Sequence, residues 1–277
     1  MRKILVALIL VFIVFISALS FGQEEVLSNI IEPEAVGTPQ GEVIEVSLPQ
    51  ETASDVEQVE REQSEVNTDL SYEEVLKLIN DTGKKIVNDS ENILVLVNKE
   101  NNLPSTYLPQ DLTKPNVAFS FAGDDQKQNM RMEAALALEK LVENAAENGH
   151  EIVAVSGFRS YERQKSIFLE NVKRVGFKKA NTFSAVPGQS EHQTGLAMDV
   201  SCASVNYRLV EKFGETPEGI WVKENAHLFG FIIRYPKDKT EITGYQYEPW
   251  HLRYVGVESA GEIMENGLTL EEYLHNK

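Results

Sequence analysis

The sequence predicts an α+β fold for residues 70–277, set behind an apolar N-terminal segment (1–22) and an acidic stretch with no core of its own (23–69). Three observations lead there. Apolar residues recur at helical spacing between Asp125 and Asn148 (Met132, Ala135, Leu136, Leu138, Leu141 and Val142), and Gly149 follows as a stop. Short apolar or alternating runs (Glu151–Ser156, Leu196–Ser201, Phe231–Tyr235) punctuate the helical segments and read as strands. Between Gln23 and Leu70, thirteen acidic residues stand against the single Arg61, and no aromatic residue occurs. Such a segment has too much like charge and too little apolar surface to pack.

The segments follow in chain order. Arg2 and Lys3 precede an unbroken apolar run from Ile4 to Ile16, then Ser17-Ala18-Leu19-Ser20-Phe21-Gly22. This is the pattern of a secretory signal. Extended through residues 4–21, the run also approaches the ~20 residues of a membrane anchor, so the expectation is an exported protein, either released or anchored to the outer face of the membrane. The acidic stretch behind it is expected to be a spacer. Leu70–Asn80 reads as a short helix with Ser71 as N-cap and Glu74 at the capping-box position. Ile93–Asn98 reads as a buried strand, and the prolines at 104 and 109 mark Lys99–Leu112 as an extended loop. Ser160 is placed to cap a helix over Tyr161–Val175, and Glu211–Phe229 turns helical towards Gly230. Tyr245–His251 is expected as a closing strand at a sheet edge, because Pro249 limits pairing. A helix over Ser259–Asn266 and a short acidic tail finish the chain.

Composition removes several functions. A net charge of −17 opposes binding to nucleic acid. One cysteine, Cys202, allows neither an intrachain disulfide nor a paired-cysteine zinc site, and it reads as a small core residue. What remains is concentrated between Ser190 and His251. His192, Asp199 and His251 are the two imidazoles and one carboxylate with which a catalytic zinc ion is commonly held, leaving a position for water. Alternation places Asp199 on the face of its strand opposite Leu196, Met198 and Val200. Glu248, three residues before His251, is near enough to act as a base. His227 reads as helix-end packing, and His150 and His275 as solvent-facing.

Three longer strings resemble the VanY-type zinc D-alanyl-D-alanine carboxypeptidases: Ser156-Gly157-Phe158-Arg159-Ser160, Ser190 to Asp199, and Glu248-Pro249-Trp250-His251-Leu252-Arg253-Tyr254-Val255-Gly256. The resemblance runs from about Asn92 to the C-terminus. It implies a DD-peptidase/Hedgehog-like fold, with a small, mainly antiparallel sheet flanked by helices. It also implies Zn2+ on His192, Asp199 and His251, Glu248 as catalytic base, and Arg159 polarising the scissile carbonyl. Ser190 would bind the substrate's terminal carboxylate, and Gln164 matches a position near substrate. The implied reaction removes the C-terminal D-Ala from peptidoglycan stem peptides, a substrate that lies outside the membrane. Two alternatives stay open on these residues. One is an L,D-carboxypeptidase or endopeptidase of the same fold; the other is a zinc module that binds wall peptides without cutting them.

Overall fold

The computed structural model describes residues 69–81 and 85–277. The apolar segment 1–22 and nearly all of the acidic stretch 23–69 lie outside the described residues. Helix α1 (Tyr72–Ile79) opens the fold with the full Ser71/Glu74 capping box. Strands β1 (Leu112–Thr113) and β2 (Met130–Arg131) form a two-stranded ladder. Helix α2 (Met132–Glu147), strand β3 (Val153–Ser156), helix α3 (Tyr161–Val175) and the single turn α4 (Phe177–Ala180) follow. Next come β4 (Ala197–Ser201), α5 (Pro217–Asn225), β5 (Phe231–Tyr235) and the turn α6 (Thr240–Thr243). The chain ends with β6 (Glu248–Tyr254), α7 (Val257–Asn266) and α8 (Leu270–His275).

Strands β3-β4-β6-β5 make a four-stranded sheet in that order, every neighbour antiparallel. Burial explains the helices against it. Leu196, Met198, Val200 and Leu252 share one core with Ala134, Ala135, Leu138 and Leu141 of α2. Each fully buried leucine of this kind is worth about 1.5–3 kcal/mol of apolar transfer. That leaves the sheet's other face, with Asp199 directly opposite His251, for polar work. Smaller clusters pack α1 on α3 through Val75, Ile79, Phe168 and Val172, and α7 and α8 on β5 through Ile232, Ile263, Leu270 and Tyr273.

The structure corrects five expectations. Ile93–Asn98 buries Val95, Val97 and Asn98 but is not a strand: its Ile93 and Val95 carbonyls accept from the Arg253 guanidinium instead of a neighbouring strand. The long helix begins at Met132 rather than near Asp125, because Asp125 caps a separate turn (Gln126–Gln128) and Arg131 N–H donates to Gly195 C=O. Met132 and Leu136, read as core positions, are about half exposed. Strand β6 is interior, not an edge; Pro249 is tolerated because pairing with β4 starts only at His251 and the β5 ladder is irregular beside it. The acidic tail is helix α8, opened by a Thr269/Glu272 capping box.

Two irregularities in the sheet aim the polar side chains. In a regular strand, residues three apart face opposite sides. Between Ile233 and Tyr235 the β5–β6 register shifts, with Ile233 opposite Leu252 and Tyr235 opposite Glu248. The extra residues of β6 turn Glu248 towards His251, with Oε2 at 3.8 Å from Nδ1. A second shift between Ala154 and Ser156 brings Ser156 opposite Asp199. Immediately beyond, Gly157 sits where a Cβ would fall 2.5 Å from the Asn129 carbonyl oxygen and 2.7 Å from Met198 Cε. Gly157→Ala is therefore expected to destabilise the fold by about 1–3 kcal/mol, read as a lowered urea midpoint.

Candidate active site

His192 stands in the short turn Glu191–Thr194 that leads into β4, and Gly195, at φ +70°, reverses the backbone between them. Its backbone carbonyl accepts from Arg159 N–H, tying the turn to the end of β3. The ring donates from Nδ1 to Gly157 C=O at 2.8 Å, which leaves the Nε2 lone pair facing Asp199 Oδ2 at 3.4 Å. His251 is arranged the other way round. Its Nε2 lies 3.4 Å from Glu191 Oε2 as donor, and its Nδ1 faces Asp199 Oδ1 at 3.2 Å. The two rings sit edge to face with centroids 4.9 Å apart.

One donor atom from each of His192, Asp199 and His251 lies within 4.8 Å of the others, and all three residues are buried. Asp199 Oδ1 is buried and makes no well-aligned hydrogen bond, although His251 Nδ1 lies 3.2 Å away. A buried, unsatisfied carboxylate oxygen is costly, and a divalent cation between the three groups would satisfy it. Two imidazole nitrogens and one carboxylate suit zinc. The electrostatics agree. Burial pushes His192 down to about 3, holding it neutral as a ligand must be. His251, despite burial, is raised to about 9 by its contacts with Asp199 and Glu191. Negative charge that holds a proton on a ring also holds a metal cation there, so proton and metal compete.

Around this centre lies a cleft of about 230 Å³ lined by Arg159, Ser190, Tyr235, Tyr245, Glu248 and Trp250, among others. Burial, together with Asp199 and Glu191, lifts the Glu248 carboxyl to about 7 against the pull of His251 and Arg159. A group poised there can both take and return a proton at neutral pH. Arg159 is held from behind: Nη1 donates to Gln164 Oε1 (2.8 Å) and Nη2 to Ser156 Oγ (3.2 Å). Gln164 is buried, and its amide nitrogen donates to Ala185 C=O. His192, Asp199, His251, Glu248, Arg159 and Ser190 thus meet at one cleft, while Gln164 stands behind Arg159. His227 and Cys202 are elsewhere, Cys202 in the core.

Residues 127–257 match the family VanY, D-alanyl-D-alanine carboxypeptidase. A putative carboxypeptidase, YodJ of Bacillus subtilis, is 48% identical over 229 residues, covering 83% of this chain and 83% of that one. The chain belongs to the VanY family. Among solved structures, the LdcB LD-carboxypeptidase is 53% identical with a TM-score of 0.68, covering 70% of this chain and 91% of that one. A variant of the vancomycin resistance D,D-pentapeptidase VanY, in complex with Zn(II), is 37% identical with a TM-score of 0.55, covering 65% of this chain and 98% of that one.

Sequence reasoning passed over three side chains that the VanY-family fold brings to the back of the site. Glu191 Oε1 accepts from Arg234 Nε (2.7 Å) and Arg253 Nη1 (2.6 Å), and all three side chains are fully buried. Burial alone would raise the Glu191 carboxyl; the two guanidiniums hold it well below the usual carboxylate range. The signal was present, since Arg234 interrupts an apolar strand and Arg253 an otherwise apolar run. A charge in a buried strand needs a partner. For the centre itself, His192→Ala is expected to lose stoichiometric metal, measured by elemental analysis of the purified protein, while its circular dichroism stays that of the parent.

Proposed function

We propose that this chain is a zinc-dependent D-alanyl-D-alanine carboxypeptidase that removes the C-terminal D-Ala from peptidoglycan stem peptides. The observation that carries this reading is the convergence of His192, Asp199 and His251 beside Glu248 in one cleft. Membership of the VanY family supplies the substrate class. His192 Nε2, His251 Nδ1 and Asp199 would hold the zinc ion. When bound, zinc acts as a Lewis acid and lowers the pKa of water to about 7. Glu248 accepts the proton of the attacking water and returns it to the departing amine. Arg159, fixed by Ser156 and Gln164, presents its guanidinium to the oxyanion that develops at the scissile carbonyl. Ser190, buried in the cleft wall, binds the substrate's terminal carboxylate. Gln164, whose amide is already engaged, acts on the substrate through Arg159.

A second reading has its own support. The similarity to the LdcB LD-carboxypeptidase, at 53% identity, favours cleavage of the L,D bond at the end of a tetrapeptide. Both reactions release D-Ala and use the same machinery, so the peptide offered decides between them. Residues 1–22 serve as export signal or membrane anchor, 23–69 as spacer and 70–277 as the catalytic domain. That arrangement delivers the cleft to a substrate outside the cytoplasm.

Zinc-loaded protein incubated with penta-, tetra- and cross-linked muropeptides is expected to shorten the pentapeptide by one D-Ala, read by mass spectrometry. Turnover of the tetrapeptide alone would transfer the assignment to the L,D reaction, and intact peptides after days would sink both. Glu248→Ala is expected to retain zinc and lose about 10²–10⁴-fold in kcat. Arg159→Ala is expected to lose about 10²–10³-fold in kcat with zinc retained; each is checked by steady-state D-Ala release alongside metal analysis.

A further inference from the structure

The buried charges behind the zinc ligands ask for a reason. Glu191 is wholly enclosed, and its Oε1 is shared by two guanidiniums. Those guanidiniums are themselves fixed. Arg253 donates from Nη2 to the carbonyls of Ile93 and Val95 and from Nε to that of Tyr254. Arg234 makes a two-pronged contact with Glu271 of helix α8, Nη1 to Oε2 at 2.9 Å and Nη2 to Oε1 at 2.6 Å. Buried ion pairs of this kind are often no better for stability than well-packed apolar residues, so what they fix matters more than what they stabilise. What they fix is the other oxygen of Glu191, which points at His251 Nε2.

That contact decides which nitrogen of His251 carries the proton. A carboxylate oxygen can only accept, so Nε2 carries an N–H; when a metal displaces the other ring proton, the lone pair it meets lies on Nδ1, facing Asp199 and Glu248. The opposite tautomer would set a nitrogen lone pair against a carboxylate held anionic by two arginines. His192 solves the same problem with a neutral backbone carbonyl at Gly157. The two zinc-binding imidazoles are therefore oriented by different devices: one local, the other reaching through Arg234 to the C-terminal helix.

We infer that Glu191, locked by Arg234 and Arg253 and braced by Glu271, is a positioning residue that sets the His251 tautomer and thereby the affinity for zinc. The inference rests on the zinc reading of the site, and the experiment separates the two. Zinc affinity is measured by chelator competition on the full chain for the parent, Glu191→Gln, Glu271→Gln and His251→Ala. The His251 ring protons of the zinc-loaded forms are followed by NMR. Glu191→Gln is expected to weaken zinc binding about 10–100-fold, the scale typical of groups that orient a metal ligand, and to lose the protected Nε2–H resonance. Glu271→Gln, at the outer end of the chain of charges, is expected to weaken binding measurably but less than Glu191→Gln, with faster exchange of the same proton. Parent-like affinity and an unchanged Nε2–H in Glu191→Gln, with His251→Ala unable to bind zinc, would overturn the positioning role. Should Glu191→Gln fail to fold, parent-like values for both readouts in Glu271→Gln overturn it instead. Parent-like zinc binding by His251→Ala would overturn the metal reading itself.

Discussion

The antiparallel register between β4 and β6 puts Asp199 directly opposite His251, and the rest of the site is built on that pairing. Directly opposite residues share one face of the sheet with Cβ atoms about 4.5–5.5 Å apart, close enough to share an ion. A slip of one residue would send one of them to the opposite face. The slip is resisted because Met198, Val200 and Leu252 would leave the core they form with α2. The apolar face of the sheet thus sets the geometry of the polar face. Hydrophobic burial acts here as a positioning force for the polar groups of the cleft.

The regular sheet supplies only part of the site, and its irregularities supply more. Glu248 reaches the side of His251 because β6 carries extra residues against β5, and Ser156 comes opposite Asp199 because β3 carries one against β4. Each shift gives up ladder regularity at the place where a side chain must be re-aimed. Pro249 sits within one of them, where its missing N–H costs least. Behind this face the alternating charges Glu271, Arg234, Glu191 and Arg253 fill what would otherwise be an apolar interior. They also consume the Ile93 and Val95 carbonyls, so a run with strand composition is not a strand.

Much of this was legible in the residues. The Ser71 and Ser160 caps, the strand Phe231–Tyr235, and the facing of Asp199 away from Met198 follow from local rules that the structure obeys. His192, Asp199, His251 and Glu248 were legible as a set of metal- and proton-handling groups because they stand in longer strings that resemble the VanY family; their spacing alone is a weak signal. The helix start near Asp125 was misread because helical periodicity cannot see that Arg131 N–H is already promised to Gly195 C=O. Glu191 was passed over because its importance lies in two arginines more than forty residues away.

The sequence by itself determined residue chemistry and local geometry: which side chains can hold zinc or move a proton, where helices are capped, and which face of each strand is apolar. Those properties depend on neighbours a few positions apart. The tertiary structure alone decided the distances between His192, Asp199 and His251, the interior place of β6, the turning of Glu248 towards His251, and the group that each imidazole meets at its far nitrogen. These are set by contacts between segments distant in sequence, whose register is fixed only when the whole core closes.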